Sequence, residues 1–300
     1  MSFNALINLC KDLDVEYEIE GKTAPLTSIK VGGVAKLILF PSTIEAFCVL
    51  LAYINKNNIK FYVLGNGSNV YFSEYYDGVI VVTKNINNIV VDKNHLTAQC
   101  GADVIRCARM SLYHSLSGLE FAYGIPGTIG GALYMNAEAY GKRFGDLVKK
   151  STVFDIQRNR LIYLNNANHN FSSKSSIFSQ NKSYILIDTT LELKSSDYNL
   201  IKNSMLDNMN KRRKSQPLNL PSAGSAFKRS GDVIPSKLID EIGLKGYRIG
   251  DAEISVKHAG FIVNSGDATA ENINDLIYLI KSKIFNEYNV ILEEEIIHIK

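Results

Sequence analysis

Apolar residues recur at helical spacing from the start of the chain: Phe3, Leu6, Ile7, Cys10 and Leu13 stripe one face of residues 3–13 and predict an amphipathic packing helix. From Ala35 the run AKLILF predicts a short strand. Ser42-Thr43-Ile44-Glu45 then has the S-x-x-E spacing of a capping box and opens a helix expected to reach about Asn55. A second strand at 61–64 completes a βαβ unit, whose strands should run parallel with a right-handed crossover. A strand at 79–82, alternating strands at 89–92 and 96–100 turning at Lys93-Asn94, and a helix from about Asp103 to Ser115 follow.

Beyond Gly141, strands are expected at 148–156 and 184–193, on either side of a polar, serine-rich segment at 171–180. A long polar helix from Asp197 to Ser215 ends before Pro217 and marks a domain boundary. The last third has its own pattern: a helix at 236–242 stopped by Gly243, strands at 247–254 and 259–264, a helix at 270–288 and a final strand at 290–299.

With 46% apolar and 21% charged residues over 300 positions, the chain has the composition of a globular protein of two or three domains. The net charge of +3 gives no reason to expect nucleic acid. The one basic cluster, Lys211-Arg212-Arg213-Lys214, closes a predicted helix and reads as a solvated face. No apolar run has the length of a membrane span, and the first residues lack a basic region followed by an apolar one, so a cytoplasmic protein without membrane contact is expected. Cys10, Cys48, Cys100 and Cys107 form no C-x-x-C pair and the five His are dispersed. Reduced, mostly buried thiols and no metal site follow.

The segment 119–141, LEFAYGIPGTIGGALYMNAEAYG, concentrates the candidate chemistry. Its glycines and small residues let something approach the backbone closely. A turn entering a short helix at Pro126-Gly127-Thr128 would aim unpaired N–H groups at an anion, which suggests a phosphate-rich ligand; a tight helix-packing site is the other reading. Upstream, Gly65-Asn66-Gly67-Ser68-Asn69 follows a strand, where open α/β sheets bind ligands. Val70 stands where a dinucleotide fingerprint needs glycine, and no G-x-x-x-x-G-K-[ST] occurs, so a backbone nest for a pyrophosphate is the reading that survives. Lys30 with Gly32-Gly33 offers another close approach.

GNGSN at 65–69, GLEFAYGIPGTIGG at 118–131, SAGSAFKR at 222–229, GDAEISVKHAGFIVN at 250–264 and LEEEI at 292–296 together resemble the UDP-N-acetylenolpyruvoylglucosamine reductases, in the shorter variant with the SAGSAFKR serine motif. The resemblance runs from Ser28 to Ile296. It implies an α+β, FAD-binding fold of the vanillyl-alcohol-oxidase (PCMH) type with two cofactor subdomains, 1–82 joined by 296–300 and 83–196, and a C-terminal substrate domain, 197–295. It also implies non-covalent FAD, since the segment 28–34 holds no His or Cys for attachment, NADPH as co-substrate and a UDP-sugar substrate reduced for peptidoglycan synthesis. The enzyme is expected to act as a monomer.

By motif position, FAD would be held by Gly65, Asn66, Gly67, Ser68, Asn69, Tyr123, Gly124, Ile125, Pro126, Gly127, Thr128, Gly130, Gly131 and Arg212. Substrate would meet Lys228, Arg229 and His258. Ser225 would donate a proton and Glu295 would assist at the enolate. Two positions depart from the family pattern. Lys174 replaces the arginine that polarises the enolpyruvyl carboxylate, keeping the charge but losing the bidentate fork, so Lys174→Arg is expected to retain activity. Glu138 replaces the glycine of NAGAYG, which is tolerable only outside a glycine-only backbone conformation. Another FAD oxidoreductase of the same fold, or a catalytically impaired relic, are the alternatives.

Overall fold

The computed structural model describes residues 2–300. A four-stranded sheet takes its strands in the order Glu16–Lys22, Val34–Phe40, Tyr75–Val82, Phe61–Leu64, and the last two pair in parallel. The βαβ strands are therefore not neighbours, because Tyr75–Val82 intervenes. The helix between them, Ile44–Lys56, is capped by Thr43, which accepts from the Ala46 amide at 3.1 Å. The helix thus starts one residue later than a capping box at Ser42 requires, since either adjacent hydroxyl can serve.

Two compact units divide the chain. One comprises Met1–Glu18, Leu37–Asn66 and Gly78–Lys211, the other Ile19–Lys36, Gly67–Asp77 and Arg212–Lys300. Each has its own hydrophobic core, which is the physical criterion for a separate cooperative body. In the first, Phe47, Leu50, Leu51 and Ile54 of the capped helix are buried with Leu6 and Cys10 of the opening helix Ser2–Asp12, and with Val79 and Val81. An antiparallel five-stranded sheet, ordered Arg160–Asn165, Val148–Asp155, Tyr184–Glu192, His95–Gln99, Ile89–Asp92, completes this unit.

The second unit packs the helix Ala270–Tyr288 through Ile273, Leu276, Ile277, Ile280 and Ile284, spaced three and four apart on one face. Thr269 caps it in a reciprocal box with Asn272. The helix belongs to the same core as a four-stranded antiparallel sheet, Ser222–Ser225, Phe261–Asn264, Ala252–Ile254, Arg248–Ile249. The expected single strand at 247–254 is thus a hairpin, broken where Gly250 takes φ +55°. The expected final strand at 290–299 is ordered as strand only over Ile297–Ile299, paired in parallel with Val70–Phe72. Among the described residues no helix is long and apolar enough to cross a membrane.

Candidate active site

The glycine turn meets Gly65 and Asn66, the residues that follow the strand Phe61–Leu64, in the first unit. Thr128 ends the turn and caps the helix Ile129–Tyr134, accepting from the Gly131 amide at 3.3 Å. Its side chain fills the space a Cβ on Gly65 would need. Asn66 Nδ2 donates to the Pro126 carbonyl and to Asp103 Oδ2, each at 3.3 Å. Asp103 in turn caps the helix Val104–Tyr113 through the Arg106 amide at 2.9 Å. The Val104 amide donates to the Gly127 carbonyl at 3.0 Å. Sequence placed Asp103 at a helix start but not as the residue joining the two loops.

The amides at the start of the short helix are committed within the chain. Ile129 and Gly130 of the short helix donate to the carbonyls of Ala102 and Cys100 at 2.8 and 2.7 Å, so its N-terminus is already satisfied. Among the described residues, no acceptor takes the amides of Gly65, Asn66, Gly67, Ser68 and Asn69, nor those of Gly127 and Thr128. Successive uncommitted amides form an anion nest. Such amides stand at Gly65-Asn66 and Gly127-Thr128 in the first unit and at Gly67-Ser68-Asn69 in the second.

Two glycine positions serve the chain itself. A Cβ on Gly67, at φ +60°, would strike the Leu26 carbonyl, and the Ser28 amide donates to the Gly67 carbonyl at 2.9 Å. Gly32 and Gly33 are pressed against Thr23 and the Glu74 carbonyl. That pair therefore makes a backbone crossing and not the ligand approach expected from sequence.

Lys174 also lies in the first unit, at the tip of a tight turn in which Ser172 and Ser175 exchange backbone hydrogen bonds at 3.0 and 3.3 Å. Its φ of +54° is uncommon for a side chain with a Cβ. Glu138 lies in a two-residue extended segment, Glu138–Ala139, so the glycine-only conformation is not required there. The left-handed positions of that loop fall on Asn136, Tyr140 and Gly141 instead. Lys174 Nζ lies 4.0 Å from Glu138 Oε1.

In the second unit three motifs converge on Ala226. Its amide donates to the Gly260 carbonyl at 2.8 Å and its carbonyl accepts from the Glu295 amide at 2.8 Å. Ser225 thus stands one residue from the Glu295 segment, at a register break of the strand Ser222–Ser225, where Gly224 has φ +79°. Such bulges re-aim side chains next to functional sites. The half-buried Ser225 hydroxyl has no partner among the described residues. Asn69 Nδ2 donates to the Glu295 carbonyl at 2.8 Å and pins this segment.

His258 accepts at Nδ1 from the Gly260 amide at 3.1 Å, and burial, aided by the Lys245 charge, pushes its pKa below the ordinary value. Lys228 pairs with Glu293 at 3.3 Å, while Arg229 is exposed. Of the basic cluster, Lys211, Arg213 and Lys214 are exposed as a solvated face would be; only Arg212 is half-buried. All four thiols are free, and burial raises Cys10 and Cys48 to about 11 and Cys100 and Cys107 to about 12. Unreactive packing thiols result. Among the described residues no group of three or more His, Cys, Asp or Glu could hold a metal. A separate cleft of about 610 Å³ in the first unit, lined by Phe121, Lys142, Arg143, Leu147 and Lys194 among others, contains none of these site residues.

Residues 35–161 match the family model described as FAD binding domain, and a solved alkyldihydroxyacetonephosphate synthase shares the fold at 14% identity, with a TM-score of 0.50 over 64% of this chain and 40% of its own. The fold is thus the α+β, FAD-binding class of the PCMH type. Residues 216–299 match UDP-N-acetylenolpyruvoylglucosamine reductase, C-terminal domain. The reductase of Caldanaerobacter subterraneus is 40% identical over 90% of this chain and 89% of its own, and that of Clostridioides difficile 39% over 97% and 95%. The crystal structure of the Thermus caldophilus reductase superposes with a TM-score of 0.80 at 27% identity, covering 95% of this chain and 99% of that one. The chain belongs to the UDP-N-acetylenolpyruvoylglucosamine reductase family.

Proposed function

We propose that this chain is an FAD-dependent reductase of UDP-N-acetylenolpyruvoylglucosamine, forming UDP-N-acetylmuramate for peptidoglycan synthesis and hence for cell-wall growth and division, with NADPH as hydride source. The uncommitted amides of Gly65, Asn66, Gly127 and Thr128 in the first unit suit the pyrophosphate of a non-covalently held FAD, to which Gly67, Ser68 and Asn69 are also assigned. Tyr123, Gly124, Ile125, Gly130, Gly131 and Arg212 are the further residues assigned to its binding. Bound there, FAD supplies the capacity to accept a hydride from NADPH and to deliver one to the enolpyruvyl double bond. A reaction that draws on NADPH belongs in the cytoplasm, where that reductant is regenerated.

The single observation that carries the chemistry is the Ser225 hydroxyl, unengaged and set on a bulge beside the Glu295 segment. Hydride addition to one carbon of the double bond leaves the electron pair on its neighbour, delocalised into the carboxylate. Ser225 donates the proton that quenches that carbon. Lys174 places a positive charge at the substrate carboxylate, where negative charge grows. Glu295 assists the enolate as a hydrogen-bond donor while it carries its proton; once ionised it would repel the developing charge. Lys228, Arg229 and His258 are assigned to the remaining anionic and polar parts of the nucleotide sugar.

Ser225→Ala separates the two halves of the reaction. Flavin bleaching by NADPH needs no proton from this hydroxyl and should keep a near-parental rate, whereas return of the flavin absorbance on adding the enolpyruvyl substrate should slow by roughly 10²–10⁴-fold. Rapid mixing of each half separately is the measurement. Equal slowing of both halves would indicate damage to the flavin site, and unaltered reoxidation would remove Ser225 from this role. Purified protein without flavin colour would count against the whole reading.

A further inference from the structure

Lys174 and Glu138, the two motif positions read from sequence as departures from the family pattern, face one another across 4.0 Å. The turn bearing Lys174 is bolted to the segment bearing Glu138. Asn136 Nδ2 donates to the Ser172 carbonyl at 2.9 Å, Asn136 Oδ1 accepts from the Gly145 amide at 2.8 Å, and Ser176 Oγ donates to the Tyr134 carbonyl at 2.8 Å. Arg143, the residue opposite Glu138 in register, has its guanidinium on Asp146 at 3.4 Å. Glu138 is thus left facing Lys174. The lysine is 18% exposed and the glutamate 39%, so the pair is half in solvent and individually weak.

We propose that Glu138 is a positioning residue for Lys174, so that Lys174 with Glu138 is one functional arrangement and arginine with glycine another, and neither residue can be exchanged alone. The inference rests on the assignment of Lys174 to the substrate carboxylate. An ammonium is a compact charge on a flexible stem with three donors. At 4.0 Å Glu138 restrains that stem by charge without a close hydrogen bond. A guanidinium at 174 would instead close its fork on Glu138, because bidentate arginine–carboxylate pairs are the stronger and more directional ones. The ligand group would then be held away from substrate. Removal of Glu138 takes away the carboxylate that faces the ammonium. By sequence alone Lys174→Arg is the conservative change; the pair reverses that expectation.

The test is a cycle on the flavin-loaded enzyme, reading the two half-reactions separately and the substrate dependence of the second. Lys174→Arg and Glu138→Gln should each slow reoxidation by the enolpyruvyl substrate by about 5–30-fold, within the range of coupling between groups in one contact network. Flavin content and bleaching by NADPH should not change, which certifies folding, and Glu138→Gln preserves the side-chain shape. Lys174→Arg combined with Glu138→Gly should recover to within about threefold of the parent. A combined variant as slow as the product of its parts, or an unchanged Glu138→Gln rate beside a slow Lys174→Ala, would overturn the positioning role and leave Lys174 in place. A fast Lys174→Ala would overturn the inference by removing the assignment beneath it. In that case the parent still reduces the substrate and the reductase reading stands.

Discussion

At the scale of single residues, glycines that look alike in sequence do opposite things. Gly67 at φ +60° has no room for a Cβ against the Leu26 carbonyl, while a Cβ on Gly131 would meet Thr128 Oγ1 at an ordinary 3.6 Å in helical backbone. Gly67→Ala should therefore lower the melting temperature and flavin retention together, through loop strain of about 1 kcal/mol or more. Gly131→Ala should leave the fold intact or raise stability by up to about 1 kcal/mol, since alanine is the better helix former. Flavin loss from Gly131→Ala alone would then report contact between the cradle and cofactor. Thermal melts paired with flavin absorbance read both. The motif GNGSN reads as a candidate nest because its residue types tolerate left-handed backbone; that Gly32-Gly33 and Gly67 relieve clashes within the chain was not legible, because Thr23, Leu26 and Glu74 carry no sequence mark of that crossing. Lys174 and Glu138 were each visible as departures, yet their pairing depends on a turn at 172–175 that a run of serines does not announce.

At the scale of elements, regular pieces were legible where periodicity and caps agree. The helix Ala270–Tyr288 has its isoleucines and leucine at three- and four-residue spacing behind a Thr269 cap, and the strand Phe61–Leu64 falls where its apolar run stands. Strand pairing was less legible, since the insertion of Tyr75–Val82 into the βαβ unit and the pairing of Ile297–Ile299 with Val70–Phe72 depend on partners distant in sequence. The helix Val104–Tyr113 links fold to site. Asp103 caps it with one carboxylate oxygen and takes Asn66 Nδ2 on the other. Asp103→Ala should cost about 1 kcal/mol of stability through the lost cap and also weaken flavin retention, although Asp103 is not assigned to the cofactor. Asp103→Asn keeps an acceptor for the amide and should restore most of the melting temperature. If Asp103→Ala melts lower but holds flavin as tightly as the parent, the bond to Asn66 does not shape the nest.

At the scale of the whole molecule, buried neutral groups in both units set the pH range of stability. His169 is fully buried between the Asn165 carbonyl at 2.7 Å and Ser151 Oγ at 2.8 Å, stacked on Phe171, and burial lowers its pKa. Burial likewise lowers His258 and His298, and the Nδ1 of His298 is buried without a hydrogen-bond partner. A folded-state value below the unfolded 6.5 means the unfolded chain takes up the proton first. The stability these imidazoles contribute is full above about pH 6.5 and declines as pH falls below it, by at most about 1.4 kcal/mol per pH unit for each proton. The thiols act at the other end. Cys10 and Cys48 at about 11, with Cys100 and Cys107 at about 12, lie above their ordinary 9.0, so their contribution is full below pH 9 and lost as pH rises past it. The melting temperature should therefore form a plateau between roughly pH 7 and 8.5 and fall on both sides, measured in matched ionic strength with flavin saturating. His169→Gln should melt lower at pH 7, having lost ring packing, but show a shallower acid limb, because one proton-binding group of the unfolded chain is gone. A melting temperature that climbs between pH 6.5 and 5.5, or an acid limb in His169→Gln as steep as the parent's, would show that these imidazoles do not govern the acid side.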